Sequence, residues 1–178
     1  RRCGSVNLLI KGRDGTLTGD NTDLAGLEFL LRQNGWVLTG QTVVILGSGG
    51  TGHTAKAAAE ELGAAEIATV SRTGELNYEN LAKRFGKRDF YLINTTPVGM
   101  AKLPGTPLPV ELLHAGLWVA EIIYFPLETE LLRAARALGC RTLDGSNMAV
   151  FQAVKAFELF SGRQADAARM QAHFASFT

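Results

Sequence analysis

The feature that most constrains the fold of this chain is a glycine-rich turn that begins at Gly47. The apolar run at 42–46 is typical of a buried parallel strand, and the alanine-rich stretch at 51–62 predicts a helix. Gly47, Gly49 and Gly52 stand where a dinucleotide-binding turn needs glycine: for the sharp turn, for close approach to a pyrophosphate, and for packing of helix on strand. The start of the helix would offer free N–H groups to the phosphates. The alternative is a tight loop without a ligand, since a GxGxxG pattern alone is a weak signal.

The composition of the chain excludes several classes of protein. With 178 residues, of which 46% are hydrophobic, it is long enough to bury a sizeable core. A formal net charge of +1 gives no reason to expect nucleic acid or a membrane surface as a partner. No apolar run approaches the roughly 20 residues of a membrane span and no secretory signal opens the sequence, so we expect a cytoplasmic protein. The two cysteines, Cys3 and Cys140, form neither a disulfide framework nor a metal-ligand set.

Alternating strand and helix patterns predict the fold class. Strands are predicted at 5–10, 16–19, 42–46, 66–70, 90–93, 117–123 and 141–143, and helices or helical turns at 22–34, 51–62, 78–85, 109–113, 128–138, 148–160 and 166–174. This alternation predicts an α/β protein with a doubly wound, mostly parallel, Rossmann-like sheet and helices on both faces. The first two strands form a hairpin ahead of the sheet, because Asp14-Gly15 favours a tight turn.

Three polar residues follow the second strand of the predicted sheet: Ser71, Arg72 and Thr73. In a dinucleotide-binding fold an acidic residue here bonds the ribose 2′-hydroxyl of NAD, whereas a cation binds the 2′-phosphate of NADP. A planar guanidinium between two hydroxyls suits the phosphate, so Arg72 predicts NADP rather than NAD. The alternative is a solvated surface arginine, and the nearby Glu75 is a mild argument against NADP.

The segment after the third strand is a second candidate for the cofactor site. Asn94, Thr95 and Thr96 can bond ribose or carboxamide groups, and Gly99 permits close approach of a ring. The alternative is a Pro-Gly turn in which Met100 serves packing.

A third segment, Gly-Asp-Asn-Thr-Asp at 19–23, holds two carboxylates between a strand and a helix. Asp, Asn and Thr all cap helices, so one interpretation is a capping cluster. The other is a carboxylate at the edge of a cleft, which bonds a substrate hydroxyl or holds a neighbouring base. The residue types alone favour neither interpretation.

Four other polar side chains give little signal by themselves. Gln152 lies on a predicted helix, where a lone Gln is usually solvent-facing or capping. His53, His114 and His173 have no partner at the spacing of a metal site or a catalytic triad, so we interpret them as structural or solvated.

Taken together, these segments resemble the shikimate dehydrogenases and their quinate/shikimate relatives, in the order and spacing of that family over nearly the whole chain. The matching motifs are Gly4-Ser5-Val6-Asn7, Gly-Asp-Asn-Thr-Asp at 19–23, the glycine turn at 47–52, Ser-Arg-Thr at 71–73, Asn-Thr-Thr-Pro-Val-Gly-Met at 94–100, Tyr-Phe-Pro-Leu-Glu-Thr at 124–129, Asp144-Gly145 with Met148 and Gln152, and the stretch at 156–162. The segment at 19–23 is the most specific of these, and it favours the cleft carboxylate over simple capping.

The resemblance implies an oxidoreductase that transfers a hydride between NADP and C3 of shikimate, interconverting it with 3-dehydroshikimate. Asp23 would be the catalytic residue, the acidic half of a Lys–Asp pair that handles the proton of the substrate hydroxyl. Asn7 and Gln152 would bond substrate hydroxyls, with Tyr124 close to the substrate. The cofactor residues implied are Gly47, Ser48, Gly49, Gly50, Thr51, Gly52, Ser71, Arg72, Thr73, Asn94, Thr95, Thr96, Gly99, Met100 and, through its backbone, Gly145.

The sequence departs from the family pattern in several places. Members carry a substrate domain with the catalytic Lys and two Ser for the substrate carboxylate before the segment that matches Gly4–Asn7, where this sequence begins. We therefore expect the chain to be incomplete for catalysis, and Lys11 does not stand at the family's lysine position. Leu8 and Ala149 replace a usual Thr and Leu on the substrate side. Leu76 replaces a further cation, which weakens the preference for NADP without reversing it.

The resemblance also implies how the chain is divided. We expect a remnant of the substrate-binding domain at 1–22, a dinucleotide-binding domain at 23–146, and C-terminal helices that pack between the domains at 147–178. The sequence indicates no oligomeric state.

Three alternative functions stay open. Quinate is an alternative substrate, because the stretch at 124–132 also resembles quinate/shikimate members. A nucleotide-binding module without catalysis is another, although such a module need not keep Asn7, Asp23, Tyr124 and Gln152 together. Another NADP-linked dehydrogenase of the same fold is supported only by analogy of fold.

Overall fold

The computed structural model describes residues 3–177, which form an antiparallel hairpin followed by a parallel sheet and its helices. The strands are β1 Leu8–Lys11, β2 Leu17–Asp20, β3 Thr42–Leu46, β4 Glu66–Val70, β5 Tyr91–Asn94, β6 Trp118–Glu121 and β7 Arg141–Leu143. The helices are α1 Thr22–Gln33, α2 Gly50–Glu61, α3 Leu81–Phe85, α4 Glu130–Ala137, α5 Ser146–Ser161 and α6 Ala167–Ala175, with a 3-10 turn at Val110–Leu112. This architecture confirms the predicted α/β class, with the hairpin ahead of the sheet.

The five strands of the sheet are hydrogen-bonded in the order β4-β3-β5-β6-β7, and every pair is parallel. Because β4 and β5 lie on opposite sides of β3, the chain reverses its direction of travel across the sheet at β3. In doubly wound sheets ligands bind in the crevice at such a switch point, outside the carboxyl ends of the strands. The glycine turn follows β3 directly and therefore lies at that crevice.

Helices cover both faces of the sheet because successive side chains of a strand point to opposite faces. Val44 and Leu46 belong to a buried cluster that includes residues of α3 and α4. Val43 and Ile45 belong to another, formed mainly with α1 and α2. The near-continuous apolar run of β3 is thus the signature of a strand buried on both sides.

The hairpin turn forms where Asp14-Gly15 predicts it. The N–H of Gly12 donates to the carbonyl of Thr16 at 2.8 Å, and Asp14 Oδ1 accepts from the N–H and hydroxyl of Thr16. The first strand is shorter than predicted at its N-terminal end, since β1 begins at Leu8 rather than at residue 5, and the second keeps its length but is shifted by one residue.

Two other predicted boundaries are wrong for a local reason. The helix expected at 78–85 begins only at Leu81, because the side chains of Asn77 and Asn80 bond the backbone of the preceding turn. Such local bonds compete with helix formation. The helix expected at 128–138 begins at Glu130, because the Thr129 hydroxyl caps it by accepting from the N–H of Leu132.

Candidate nucleotide and substrate clefts

The glycine turn has the geometry that its sequence predicts. Gly47 has a φ of +104°, a conformation that L side chains rarely adopt. A Cβ on Gly52 would overlap the carbonyl oxygen of Gly47, so α2 approaches the turn closely only without a side chain there. A Cβ on Gly49 would meet nothing within 4 Å, which leaves open space above the turn. Gly49 is also the N-cap residue of α2 and provides no side-chain cap, so its exposed first turn can accept an anion.

The turn is fixed to the two neighbouring strands. The N–H of Gly47 donates to the carbonyl of Val70 at 2.8 Å, at the end of β4. On the other side, the N–H and the hydroxyl of Thr95 both donate to the carbonyl of Leu46, at 2.9 and 2.6 Å. Thr95 therefore anchors the segment after β5 to the glycine turn, and its hydroxyl is already engaged.

The segment after β4 presents a cation to solvent at the crevice. Arg72 and Thr73 are exposed, and Ser71 closes the loop by donating its N–H to the carbonyl of Leu76 at 3.1 Å. Leu76 is buried in the core, so the position expected to carry a further cation serves packing instead. Burial raises the pKa of the Tyr78 phenol, and the positive charge of Arg72 opposes that rise.

The segment after β5 differs from the prediction at its first residue. Asn94 is fully buried, and its amide nitrogen donates to both carboxylate oxygens of Glu121 at 3.0 Å. Its oxygen accepts from the N–H and hydroxyl of Thr96, at 3.0 and 2.8 Å. The Asn94 side chain is thus an interior group that shapes the loop, and it is not free to bond a ligand. Farther along the segment, Gly99 is buried whereas Met100 is exposed.

Glu121, which the sequence reasoning missed, is the most deeply buried carboxylate of this region. It shows no exposed surface, and burial raises its pKa to about 7 against the hydrogen bonds that favour the charged form. Its donors are Asn94, the N–H of Ile123 and the hydroxyl of Thr129. An acidic residue inside the apolar run at 117–123 was the signal that could have found it.

Three predicted substrate residues line one cleft of about 290 Å³. The cleft is lined by Asp23, Thr51, Ile122, Tyr124, Met148, Ala149 and Gln152. Tyr124 is about half exposed, and it follows β6 at the same edge of the sheet as the glycine turn. Asp23 is half-buried; burial raises its pKa, and hydrogen bonding by Asn7 opposes that rise.

The fourth predicted substrate residue, Asn7, meets Gln152 through a buried hydroxyl. Asn7 accepts from the N–H of Thr22 at 3.0 Å and donates to its hydroxyl at 3.1 Å. The same hydroxyl donates to Gln152 Oε1 at 3.4 Å. Thr22 therefore joins the hairpin, α1 and α5 beside Asp23.

Helix capping and the cleft use different residues of the segment at 19–23. Asn21 is the N-cap of α1, since its oxygen accepts from the N–H of Leu24 at 3.2 Å. Its amide nitrogen donates to Ser5 and to Thr54 of α2, at 2.7 and 3.2 Å to the two hydroxyls. The side chain of Asp23 does not cap the helix and instead lines the cleft. The capping interpretation holds for Asn21, whereas Asp23 lines the cleft and its role toward a substrate stays a prediction.

Gly145 begins α5 at a place where no side chain fits. A Cβ there would overlap the backbone carbonyls of Ile122 and Ile123. The turn before α5 consequently packs on the end of β6 and brings Met148 and Gln152 to the cleft.

No histidine or cysteine is among the residues that line the substrate cleft. His114 is 3.7 Å from Asp89, between its Nδ1 and a carboxylate oxygen, and Cys3 and Cys140 are free thiols. Across residues 3–177 no cluster of three or more His, Cys, Asp or Glu side chains could hold a metal ion. No helix in the same range combines the length and apolar character needed to cross a bilayer.

The sheet order and the glycine turn at its switch point define a Rossmann-like α/β protein. The chain is 43% identical to a shikimate dehydrogenase (NADP(+)) of Streptomyces avermitilis, over 97% of this chain and 65% of that protein. It is 36% identical to a quinate/shikimate dehydrogenase (NAD(+)) of Corynebacterium efficiens, over 97% of this chain and 68% of that protein. The chain belongs to the family of shikimate and quinate/shikimate dehydrogenases.

A solved structure agrees with this assignment. The quinate dehydrogenase of Corynebacterium glutamicum, in complex with NAD, superposes with a TM-score of 0.87 at 33% identity, over 98% of this chain and 69% of that one. No family model matches the chain. The chain spans about two thirds of the length of the curated relatives, 65% in the case of the Streptomyces protein.

Proposed function

We propose that this chain carries the cofactor side and part of the substrate side of an NADP-dependent oxidoreductase that interconverts shikimate and 3-dehydroshikimate. The observation that carries the proposal is one cleft in which Asp23, Tyr124 and Gln152 lie beside Thr51 of the first turn of α2. A substrate bound by those three side chains would lie next to a nucleotide bound at the helix start. Hydride transfer depends on such proximity.

The residues around the glycine turn fit a dinucleotide. The open space above Gly49 admits a pyrophosphate, and the first turn of α2 offers backbone N–H groups without a side-chain cap. The exposed Arg72 and Thr73 would hold a 2′-phosphate, the group that distinguishes NADP from NAD. NADPH, when bound, supplies the hydride; the protein supplies position and electrostatics.

Asp23 would handle the proton of the substrate hydroxyl. Its half-buried carboxylate, with a raised pKa, faces the cleft beside Asn7. Resemblance to the family implies a lysine partner, and a carboxylate beside an ammonium group holds it in place and favours its charged form. Asn7 and Gln152, joined through Thr22, would present amide groups to the other substrate hydroxyls.

Quinate is a second candidate substrate, favoured by the relatives that carry quinate in their names. Ala149 lines the cleft, so its small side chain leaves room on the substrate side.

The division of the chain follows from the same proposal. We assign 1–22 to the substrate side, 23–146 to dinucleotide binding and 147–178 to helices between them; residues 1, 2 and 178 lie outside the described part. The C-terminal helices contact both other parts, since Thr22 bonds Gln152 of α5 and α1 packs on α5. A cytoplasmic location stays a prediction from the sequence.

The test is turnover of shikimate and of quinate, each with NADP and with NAD, by a complete enzyme that joins this sequence to the family's substrate domain, and by its Asp23→Asn variant. We expect shikimate with NADP to be preferred. We expect Asp23→Asn to lower kcat by about 10²–10⁴-fold, the range for a lost proton-transfer group, with NADPH affinity kept within about twofold. Asp20→Asn is the matched control, because Asp20 is exposed and its side chain accepts from the N–H of the adjacent Asn21. Unchanged turnover in Asp23→Asn would remove Asp23 from the reaction.

A further inference from the structure

Glu121 lies at the carboxyl end of β6, directly opposite Asn94 of β5 in the register of the sheet. It has no exposed surface, and the proposed mechanism gives it no role. Burying a carboxylate is costly unless hydrogen bonds replace its water, and an apolar side chain would avoid that cost. Packing in the core therefore does not by itself explain why this position carries a carboxylate.

Hydrogen-bond donors surround both of its oxygens. The amide nitrogen of Asn94 lies 3.0 Å from each oxygen, the N–H of Ile123 lies 3.2 Å from one, and the hydroxyl of Thr129 lies 3.2 Å from the other. These groups are neutral, so the ionised carboxylate is held by directed hydrogen bonds rather than by an ion pair.

Each donor belongs to a different segment at the crevice. Asn94 orients the segment after β5, which is proposed to bind the cofactor, because its oxygen accepts from the N–H and hydroxyl of Thr96. Ile123 immediately precedes Tyr124, which lines the substrate cleft. Thr129 caps α4 through the N–H of Leu132. One carboxylate thus fixes three chain segments relative to one another.

The strand order places this junction at a defined end of the cofactor site. Arg72 follows β4, on one side of the glycine turn, whereas Asn94 and Glu121 end the strands on the other side. If Arg72 marks the adenosine end of the dinucleotide, the segments held by Glu121 lie at the end that carries the reacting ring.

We propose that Glu121 is a positioning residue for the reacting end of the cofactor: its carboxylate holds Asn94, and through it the Thr96 segment, in register with Tyr124. This inference rests on the proposed function, since it assumes that the crevice binds a nicotinamide dinucleotide. Glu121 itself touches neither ligand.

The chemistry of the amide substitution makes the proposal testable. In Glu121→Gln, one oxygen becomes an NH₂ group of nearly the same size, and it would face the NH₂ group of Asn94 whichever way the new amide points. Relief requires Asn94 to turn over, which breaks both of its bonds to Thr96. A donor facing a donor in the interior costs the desolvation of a polar group. The disturbance is therefore directed at the Thr96 segment.

The experiment compares two ligands on the 178-residue chain at about pH 8, where Glu121 is ionised. NADPH fills the whole cofactor site, whereas adenosine 2′,5′-bisphosphate reports only its adenosine end. We expect Glu121→Gln to weaken NADPH by about tenfold or more and to leave the bisphosphate within about twofold. Circular dichroism at the titration temperature checks that the variant is folded. Glu111→Gln, at an exposed site away from the crevice, is the matched control and should bind both ligands as the wild type does.

Glu121→Asp keeps the charge but shortens its reach, and it decides the question if Glu121→Gln does not fold. It should also weaken NADPH more than the bisphosphate. Equal weakening of both ligands, or of neither, would overturn the positioning role. Failure of the wild-type chain to bind NADPH at all would instead overturn the proposed function, so the two failures are distinguishable.

Discussion

Two carboxylates near the crevice differ in their surroundings and in what those surroundings do to them. Asp23 is half-buried at the edge of the substrate cleft, and Asn7 partly offsets the effect of burial on its pKa. Glu121 is wholly buried and saturated with neutral donors, and its pKa is still raised to about 7. We therefore propose proton exchange with a ligand for Asp23 and a positioning role for Glu121.

The raised pKa of Glu121 predicts how stability depends on pH. The native state holds the Glu121 proton up to about pH 7, whereas the unfolded chain releases it near the ordinary value of 4.5. The native state therefore binds more protons in this window, and its stability falls as pH rises from about 4.5 to 7. The loss attributable to Glu121 between about pH 5 and 8 is about 2 kcal/mol.

Urea unfolding of the wild type and of Glu121→Gln at several pH values measures this loss. The gap in unfolding free energy between the two proteins should shift by that amount in favour of Glu121→Gln as pH rises. A gap that does not change with pH would show that Glu121 ionises as in the unfolded chain.

Single residues also mark the limit of sequence-based prediction. Asp23, Tyr124 and Gln152 were predicted from their motifs, and the structure brings them to one cleft. Asn94 was predicted as a ligand group, but its side chain faces the interior. Its partner Glu121 is 27 positions away, and only the pairing of β5 with β6 brings the two together. Long-range pairing of this kind leaves no local pattern in a sequence.

The strand–turn–helix unit of β3 and α2 is where sequence and structure agree most closely. Gly47 has a positive φ and Gly52 lacks room for a Cβ, as the pattern predicts, while the space above Gly49 is open for the proposed pyrophosphate. The ends of α3 and α4 were predicted less well, because side chains of Asn77, Asn80 and Thr129 compete with or cap the helix. A helix propensity averaged over a window of residues is insensitive to a single capping hydrogen bond.

Two glycine substitutions in this unit should differ in whether they lower stability or NADPH affinity. Gly52→Ala forces a Cβ against the Gly47 carbonyl and should lower the free energy of unfolding by about 1–3 kcal/mol. Gly49→Ala meets no protein atom, so stability should stay within about 0.5 kcal/mol of the wild type. Its methyl group would still occupy the space assigned to a pyrophosphate, and NADPH affinity should fall about tenfold or more.

Urea unfolding and NADPH titration of both variants separate the two effects. Undiminished NADPH affinity in Gly49→Ala would mean that the pyrophosphate does not approach the turn.

For the chain as a whole, strand order brings a linear series of motifs to one edge of the sheet, where we propose the site. Arg72, the glycine turn, the Thr96 segment and Tyr124 end successive strands in the order β4, β3, β5 and β6, so they meet along a single edge of the sheet. The hairpin adds Asn7 through Thr22, and α5 adds Gln152. The fold was predictable because alternating patterns specify parallel crossovers, and the meeting of these segments followed because parallel strands end at the same edge.

The most direct test of this account is titration of the 178-residue chain with NADPH and with NADH, repeated on Arg72→Ala. We expect saturable binding of NADPH, about tenfold or more tighter than NADH, because only NADPH offers a 2′-phosphate to the guanidinium. Arg72→Ala should remove most of that difference by weakening NADPH and leaving NADH nearly unchanged. If neither nucleotide binds saturably, or if Arg72→Ala weakens both equally, the proposed cofactor site is contradicted.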